Sequence, residues 1–317
     1  MSLAMNVFKR SIEEHILDYM PEEYSAAEIT FKDIRKNNVQ KTGIMVTVPD
    51  RIAVPVVYID GLYDEYIQGK DMEDIFKEIA EEIERGYREA PAYNGLNIKD
   101  YRNNVYMCLV NKRNNREMLS NIPHRTVNDL AVIYRINLPE INGNKASAVV
   151  TYDLMETLGY ENTEQLEKQA AIYMKENDPP VVKTMREMLY EIEPELAEML
   201  PEDEEMQMYV ITNSSKTNGA VSVLDKETMD RVAGLIGPEI IILPSSIHEV
   251  IAVSGNDIKA RDAAAMVKSI NDTQVEPEER LSDNIYRYTK EKGLEQVKER
   301  EDRDKDIDRD IDRDIDI

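Results

Sequence analysis

The amino-acid sequence predicts an α+β protein in which helices pack on one side of mixed or antiparallel sheets, arranged as two lobes. The clearest observation is residues 208–253, where strand, turn, strand, helix, strand, turn and strand patterns follow one another. Residues 27–59 hold three more runs with strand character. Residues 71–83 repeat apolar side chains at the three- and four-residue spacing of one helix face. Sheets and helices are both expected, which defines the fold class.

The first part of the chain reads as one helix, three strands and a second helix. Residues 6–19 carry an approximate apolar stripe, and a proline ends that helix. Residues 27–34 and 42–48 alternate like strands around a polar turn. Residues 54–59 form a third strand, whose proline indicates an edge or an irregular start. Asp71 then caps a helix whose apolar face comprises Met72, Ile75, Phe76, Ile79, Ala80 and Ile83.

The middle of the chain continues with a helix, a hairpin and three more helices. The first helix is expected at residues 98–110. Residues 129–138 and 146–152 read as strands joined by an Asn-Gly-Asn turn at 142–144. The three helices that follow are predicted at 153–158, 163–176 and 182–200.

A second Asn-Gly pair, Asn218-Gly219, predicts a type I′ hairpin turn between strands at 209–211 and 220–223. A short helix and strands at 240–243 and 250–253 complete this region. Residues 142–159 contain the same succession of turn, strand, capping aspartate and short helix. Either a duplicated β-hairpin–helix unit or ordinary supersecondary chemistry explains this similarity.

An acidic stretch provides the best domain boundary. Residues 186–205 contain nine acidic residues and one basic residue, which is typical of a solvated helix leading into a linker. The end of the chain carries Asp-Ile-Asp-Arg repeats, which favour disorder. We therefore expect an N-terminal α+β lobe at 1–177, an acidic helix and linker at 178–207, a C-terminal α+β lobe at 208–298 and a disordered acidic tail at 299–317.

The charge of the chain restricts its partners. A net charge of −24 opposes a broad phosphate-binding surface, so we expect no direct contact with nucleic acid. It leaves open an unidentified protein partner, which is basic if charge matters. No apolar run approaches the ~18 residues that a membrane span needs, and the N-terminal residues lack a signal-like apolar region. A cytoplasmic location without a membrane partner is expected.

Residue usage describes the interior. The single cysteine, Cys108, excludes an intramolecular disulfide, fits a reducing compartment and lies in an apolar run that predicts a buried position. The chain has 16 Met, 17 Tyr, 3 Phe and no Trp. This usage predicts an aliphatic, methionine-filled core with tyrosines at its margins.

Familiar cofactor and metal motifs are absent from the sequence. No Gly-x-Gly-x-x-Gly occurs, and Gly69-Lys70 lacks the glycine that a phosphate-binding loop needs five residues earlier, where Asp64 stands. His248 is followed by Ala252 at the position where a zinc-protease helix carries its second histidine. One cysteine and three scattered histidines also disfavour a structural zinc site. We therefore expect no cofactor and no metal.

Two polar turns contain the candidate site residues. Ser245, Ser246 and His248 combine possible nucleophiles with a base, but the chain lacks the sharp Gly-x-Ser-x-Gly turn that usually exposes a catalytic serine. The serine hydroxyls could equally bond the backbone of their own turn. The loop 212–219 is the second turn. A small ligand or partner site formed by both turns would use Asn213, Lys216, Asn218, Ser245, Ser246 and His248.

Several segments carry a resemblance to a known family. They include Asn213-Ser-Ser-Lys-Thr-Asn-Gly-Ala and Leu243-Pro-Ser-Ser-Ile-His-Glu-Val, together with residues 62–75, 123–134 and 274–288. These segments resemble a family of uncharacterised proteins that is widespread in gut Firmicutes and often found on mobile elements. The resemblance spans roughly residues 5–290 and excludes the tail. It implies a bacterial, cytoplasmic, mobile-element protein. It transfers no catalytic residue, because the family has no assigned activity.

The leading functional hypothesis is a non-enzymatic binding or interaction protein, because the body is acidic and no cofactor motif or nucleophile–base pair is evident. One alternative is a hydrolase-type enzyme that uses Ser245 or Ser246 with His248 and a distant carboxylate. Another is an acidic regulator that mimics nucleic-acid charge. That role would need a regular stripe of carboxylates such as Glu187, Glu191, Glu195 and Glu198.

Overall fold

The computed structural model describes residues 3–49, 54–89, 97–140, 146–195, 207–244 and 246–298. It contains helices and three sheets, and every strand pairing between described strands is antiparallel. The α+β prediction is therefore confirmed. The chain divides into two compact units: the first is Met1–Ile98 with Pro139–Ala146, and the second is Lys99–Leu138 with Ser147–Ile317.

The first unit consists of a small sheet and amphipathic helices. The strands follow the order β1-β2-β3, with β1 and β2 paired from Glu28↔Thr47 to Arg35↔Gln40. The core includes Phe8, Ile12, Ile44 and Ile79, all nearly inaccessible to solvent. The elements are α1 (Leu3–His15), β1 (Glu28–Arg35), β2 (Gln40–Thr47), β3 (Val57–Tyr58), α2 (Asp60–Ile67) and α3 (Met72–Glu89), with short 3-10 helices at Ile16–Tyr19 and Glu22–Tyr24.

The long helix α3 forms as its sequence pattern predicts. The carboxylate of Asp71 accepts a hydrogen bond from the amide of Glu73 at 2.8 Å, and this bond satisfies one of the free amides at the helix start. The predicted apolar face is buried, apart from Met72 at its start, which is half-buried. Tyr87 extends that face, because its hydroxyl donates to the carbonyl of Val46 on β2 at 2.5 Å. The same hydroxyl accepts from the amide of Val48 at 3.3 Å, so α3 is joined to β2 and the residues after it by burial and by hydrogen bonds of Tyr87.

The second unit contains two sheets. The four-stranded sheet follows the order β4-β6-β5, with β7 also paired to β6. The six-stranded sheet follows β13-β12-β10-β11-β9-β8. A 3-10 helix at Ile98–Tyr101 precedes the four-stranded sheet. The elements of this sheet and the helices near it in the chain are β4 (Val105–Asn111), α4 (Arg116–Leu119), β5 (His124–Val127), β6 (Leu130–Asn137), β7 (Ser147–Val149), α5 (Tyr152–Thr157) and α6 (Thr163–Asn177).

The six-stranded sheet has its own apolar core, in which Ile241, Leu243 and Val253 pack with Ala263 and Val267. The elements are β8 (Pro180–Thr184), α7 (Met185–Ile192), β9 (Tyr209–Asn213), a 3-10 helix (Gly219–Leu224), α8 (Lys226–Ile236), β10 (Ile240–Leu243), β11 (Val250–Ser254), α9 (Ala260–Thr273), β12 (Tyr286–Thr289) and β13 (Gly293–Gln296).

Three segments differ from the predicted secondary structure. The helix predicted at 98–110 is wrong beyond its first turn. Residues 105–111 form β4, whose β-branched and aromatic residues pair along β6 from Val105↔Ile136 to Asn111↔Leu130. The helix predicted at 182–200 begins later, because residues 180–184 pair with β9.

The third difference concerns the predicted hairpin at Asn218-Gly219. Residues 219–224 form a 3-10 helix and not a strand, so this region does not repeat the strand seen at β7. The proposed duplicated β-hairpin–helix unit is therefore not supported at its second strand. Four predicted features lie outside the described residues: the turn at 142–144, most of the acidic linker (196–206), the position of Ser245 and the tail at 299–317.

The predicted lobe boundary at 178–207 lies inside the second unit, where β8 and β9 are paired neighbours in one sheet. Two lobes separated at that boundary remain a sequence-based prediction. Across the described ranges, no helix combines the length and the apolar character that crossing a membrane requires.

The Asp129 carboxylate joins the two sheets of the second unit. Asp129 lies in the turn between β5 and β6. It accepts hydrogen bonds from the hydroxyl of Ser282 at 2.8 Å, the amide of Asn284 at 2.9 Å and the hydroxyl of Tyr286 at 2.5 Å. Tyr286 is fully buried, and burial followed by the Asp129 charge raises the pKa of its hydroxyl. The neighbouring Asn128 donates to the carbonyl of Leu294 at 3.0 Å.

We expect Asp129→Ala to lower the free energy of unfolding of the protein by about 3 kcal/mol, because it leaves three donors without their acceptor. Urea unfolding followed by circular dichroism measures this loss. Asp262→Ala is the control, since Asp262 is an exposed aspartate on α9 of the same unit. Equal losses in the two variants would contradict the role given to Asp129.

Candidate functional site

The predicted polar loop 212–219 is organised by one buried side chain. Asn213 ends β9 and is 3% exposed. Its amide nitrogen donates to Asp178 Oδ2 at 2.7 Å and to the carbonyl of Thr217 at 2.8 Å, while its side-chain oxygen accepts from the amide of Thr217 at 3.1 Å. Asp178 also accepts from the amide and hydroxyl of Ser215. The side chain of Asn213 therefore holds the loop closed by internal hydrogen bonds.

Lys216 occupies the exposed tip of this loop in the left-handed backbone region, with φ of 54°. Its ammonium contacts Glu191 Oε2 on α7 at 2.7 Å, and Lys183 contacts the other oxygen of the same carboxylate. Hydrogen bonds from Lys183 and then Lys216 lower the pKa of Glu191 to about 2. Lys216 thus ties the loop to α7, where it shares the Glu191 carboxylate with Lys183.

His248 forms contacts through both ring nitrogens. Nδ1 accepts a hydrogen bond from the amide of Asn218 at 3.2 Å, and Nε2 lies 3.3 Å from Glu279 Oε1. Because a backbone amide can only donate, Nδ1 carries no proton in this arrangement. The imidazole therefore holds its proton on Nε2 and donates it to the carboxylate of Glu279. This assignment follows from the hydrogen-bond network, as histidine tautomers generally do.

Ser246 is buried and serves the backbone of its own turn. Its hydroxyl oxygen accepts from the amide of His248 at 2.9 Å, so the hydroxyl faces the main chain at this bond. The adjacent Glu249 is partly buried, and the loss of solvation raises the pKa of its carboxyl. Among the described residues, no serine hydroxyl is bonded to an imidazole nitrogen of His248. A nucleophile–base pair is not assembled there.

The fold brings together most of the predicted site residues. Asn218 and Ser246 bond His248, and the hydroxyl of Thr212 donates to the carbonyl of His248 at 2.8 Å. Asn213, next to Thr212 in the chain, bonds Thr217, the neighbour of Asn218, so the two sets of hydrogen bonds meet along the loop. Lys216 is displaced from this network, toward Glu191 on α7. Ser245 lies outside the described residues. Whether the network also binds a ligand remains a prediction.

Gly219 explains why the two turns meet so closely. A β-carbon at this position would lie 2.6 Å from the amide nitrogen of Asn213 and 2.7 Å from the carbonyl oxygen of His248, and closer still to the hydroxyl of Thr212. These approaches are well inside van der Waals contact. The glycine is required for close packing between β9 and the His248 turn, and not for a two-residue hairpin.

Two of the carboxylates considered for nucleic-acid mimicry form hydrogen bonds with neighbouring residues of the protein. Glu187 completes a capping box with Thr184, and hydrogen bonds from the Thr184 backbone and side chain lower the pKa of its carboxyl. Glu191 is bonded to two lysines. Glu195 is exposed, and Glu198 lies outside the described residues. Two of the four carboxylates therefore have local structural roles.

A cleft of about 620 Å³ in the second unit was not predicted from the sequence. Residues on β4, β5 and α6 line one side, and the start of β8, the 3-10 helix 219–224 and α8 line the other. Its charged lining residues are Arg125, Glu167, Lys175, Asp225, Glu227 and Arg231. The volume falls within the range of small-molecule sites. Sequence patterns could not predict the cleft, because the residues that line it come from six separate segments.

One lining residue has an unsatisfied polar group. Ser222, in the 3-10 helix, is 2% exposed, and its hydroxyl has no hydrogen-bond partner among the described residues. A buried hydroxyl without a partner costs roughly 1–3 kcal/mol. The predicted strand at 220–223 would have made Ser222 an ordinary sheet residue, so its sequence position carried no signal of this role.

The other residues weighed for chemistry are structural or surface groups. Cys108 is buried as predicted, and burial raises the pKa of its thiol to about 12, which leaves it protonated at neutral pH. His124 Nδ1 lies 3.0 Å from the carbonyl of Ile122, and His15 lies 3.5 Å from Asp18 on an exposed surface. In the part of the chain that the structure describes, no group of three or more metal-ligating side chains is positioned to hold a metal ion.

Gly219→Ala is expected to lower the free energy of unfolding by about 2–3 kcal/mol, because the added methyl group overpacks the contact between the two turns. The matched control is Gly234→Ala on α8, where a β-carbon would meet no atom within 4 Å. That control should stabilise the protein by about 0.5–1 kcal/mol through helix propensity. Thermal unfolding of both variants measures the difference, and equal effects would refute the packing argument.

The Glu191 carboxylate is expected to titrate near pH 2 in the folded protein, well below its ordinary value of 4.5. Its pKa is lowered on folding, so its contribution to stability is complete above about pH 4.5 and disappears as the pH falls toward 2. Carbon-detected NMR titration measures the midpoint. Replacing both Lys183 and Lys216 by methionine should return it toward 4.5. An unchanged midpoint in that variant would show that the lysines do not cause the shift.

Comparison with known proteins agrees with the resemblance noted in the sequence. No curated protein and no solved structure matches the chain. The model of a family of unknown function, DUF5688, matches residues 5–290, which include the described turn network and the lining of the cleft. The chain therefore belongs to the DUF5688 family, a family of unknown function.

Proposed function

We propose that this protein is a non-enzymatic binding protein. The observation that carries the proposal is the state of His248, whose two ring nitrogens are occupied by the amide of Asn218 and the carboxylate of Glu279. A general base must offer a free nitrogen to the group that it deprotonates. In the observed network, His248 instead joins two turns of the fold. The net charge of −24 further supports a function without direct nucleic-acid contact.

The binding hypothesis is also supported by the cleft of about 620 Å³, which offers a volume suited to a small molecule. The turn network formed by Asn213, Asn218, Ser246 and His248 is retained as a second proposed contact site, with Lys216 and Ser245 beside it in the sequence. A protein partner, a bacterial origin and a mobile-element context belong to this proposal as well, on the basis of the sequence resemblance.

A hydrolase-type enzyme is the alternative, and Ser246 is its described candidate nucleophile. That role would require the hydroxyl of Ser246 to leave the amide of His248 and reach a ring nitrogen. It would also require Nδ1 of His248 to release the Asn218 amide, or Nε2 to release Glu279. At least two existing hydrogen bonds must break before a pair forms.

A fluorophosphonate probe distinguishes the two functions, because it labels serines that are activated as nucleophiles. We expect no more labelling of the wild-type protein than of Ser245→Ala, Ser246→Ala and His248→Ala variants. Hydrolysis of short nitrophenyl esters should likewise stay at the rate of buffer. Labelling or hydrolysis that is lost in both a serine variant and His248→Ala would overturn the non-enzymatic proposal.

Affinity purification of the tagged protein from its native host tests binding directly. The full chain, His248→Ala and a chain that ends at Lys298 are compared, with bound metabolites measured by native mass spectrometry. A stoichiometric partner or metabolite retained by the full chain supports the proposal. Loss of a partner on truncation would place the contact on residues 299–317. A full chain recovered with neither would count against the proposal.

A further inference from the structure

We infer that the cleft of the second unit binds a small amphipathic molecule that carries one carboxylate. This inference rests on the proposed binding function and names its site and ligand class. Three properties of the cleft lead to it: a buried hydroxyl and an exposed arginine that each lack a partner among the described residues, and an apolar part of the lining. Each property restricts the ligand in a different way.

The first property is the hydroxyl of Ser222. Folding has removed this group from water, yet no described residue replaces the lost hydrogen bonds. Ser222 lines the cleft, so a polar atom of a bound molecule can supply the missing bond. A hydroxyl can both donate and accept, so either a hydrogen-bond acceptor or a donor of the ligand can meet it. Buried polar groups without partners are rare in folded proteins, which makes this one informative.

The second property is the distribution of charge in the lining. The Arg125 guanidinium bonds both oxygens of Glu167 at 3.0 Å, and Asp225 accepts from the amide of Thr228 at 2.8 Å as the cap of α8. These groups are already used by the fold. Glu167 also accepts from the buried Tyr134 hydroxyl at 3.0 Å.

One charged pair and one single arginine remain in the lining. Lys175 and Glu227 form an exposed ion pair at 3.6 Å. Arg231, on α8, has no hydrogen-bond or ion-pair partner within the described ranges, although it lines the same cleft. Arg231 is exposed, so among the lining cations its guanidinium is the one available to a ligand within the described ranges. Arg231 presents the planar fork of donors that binds a carboxylate through two parallel hydrogen bonds.

The third property is the apolar lining. Met107 and Met174 contribute from one side of the cleft, and Pro179, Val221 and Leu224 contribute from the other. Methionine side chains adapt to irregular ligand shapes, because they are unbranched and polarisable. A ligand with an apolar body would remove this lining from water. The body would lie between the anchor at Arg231 and the polar contact at Ser222.

The same lining disfavours ligands of other classes. A dianion such as a phosphate monoester would meet one unpartnered cation, with the carboxylates of Asp225 and Glu227 nearby in the lining. A cationic ligand would lack an unused acid among the described carboxylates, since Glu167, Asp225 and Glu227 all have partners. A single carboxylate on an apolar body matches Arg231, the lining cation without a partner among the described residues.

Binding of naphthoate to the full chain tests this inference. Naphthoate supplies a carboxylate on an apolar body, acetate keeps the charge without the body, and naphthylmethylammonium reverses the charge. Calorimetric titration measures the affinities. We expect saturable binding of naphthoate, with weaker or undetectable binding of the other two probes. No saturable naphthoate binding, or ammonium binding as tight as naphthoate binding, would overturn the inference.

Variants locate the site. Arg231→Gln should weaken naphthoate binding roughly 10- to 100-fold, because it removes a charge-assisted pair. The matched control is Arg261→Gln, which removes an exposed arginine on α9 outside the cleft and should leave the affinity unchanged. Ala171→Phe fills the cleft and should abolish binding while leaving the melting temperature close to that of the wild type. Equal weakening by the two arginine variants would assign the effect to general surface charge and would overturn the site.

Ser222→Ala provides a readout that a purely structural residue would not produce. The variant should weaken naphthoate binding about 3- to 10-fold. It should also melt at the same temperature as the free wild-type protein or above it, because an unsatisfied hydroxyl is removed. Weaker binding together with a lower melting temperature would indicate general damage and count against the assignment.

The fluorophosphonate test does not involve the cleft, so the cleft assignment can fail while the non-enzymatic proposal holds, and the reverse also applies.

Discussion

The carboxylate of Asp129 is the contact on which the arrangement of the second unit depends. It belongs to a turn of the four-stranded sheet, and its three donors lie in or just before β12 of the six-stranded sheet, as far as 157 residues away in the chain. An aspartate in that position needs all three donors, because a partly buried charge is stable only when its oxygens are bonded. The same contact joins the two sheets of the second unit and accompanies the burial of Tyr286. Strands of both sheets contribute residues to the lining of the cleft.

A polar side chain in this protein is a better candidate for ligand binding when the fold has not already given it a hydrogen-bond partner. Asn213, Ser246 and His248 draw attention in the sequence because they cluster in turns, and the structure shows that each has an internal partner. The buried Ser222 and the exposed Arg231 attract no attention in the sequence, yet beside the cleft neither side chain has a partner among the described residues. A group that the fold has satisfied gains little from a ligand, whereas an unsatisfied buried group gains the whole hydrogen bond. Unmet bonding capacity is therefore a better indicator of a binding site here than polar composition.

Although the net charge of the chain is strongly negative, several of its carboxylates are bonded to specific neighbouring groups. Glu187 caps a helix, Glu191 binds two lysines and Glu167 holds an arginine and a tyrosine. These carboxylates act within about one hydrogen-bond length, so their partners, and not the net charge, determine what they do. The exposed pairs among them contribute little to stability individually and are weakened by salt. Their effect is to fix loops and helix ends, as when Glu191 holds the Lys216 loop against α7.

The sequence by itself determined the fold class and most of the elements, because helical and strand periodicities are properties of consecutive residues. The apolar face of α3, the strands β1, β2 and β6, the burial of Cys108 and the family membership all follow from local pattern or from segments of sequence. Local pattern failed for residues 105–111 and 219–224. Short apolar runs fit a helix or a strand equally well until pairing with a distant strand, or packing against a distant turn, selects one of them. Tyr134 and Tyr286, expected at the margins of the core, are fully buried because remote carboxylates accept from their hydroxyls.

The sequence also placed the candidate residues in two turns, whereas only the tertiary structure decided which polar groups were satisfied. Hydrogen bonds between distant segments, such as those made by Asp129, His248 and Asn213, form only when the whole chain is folded.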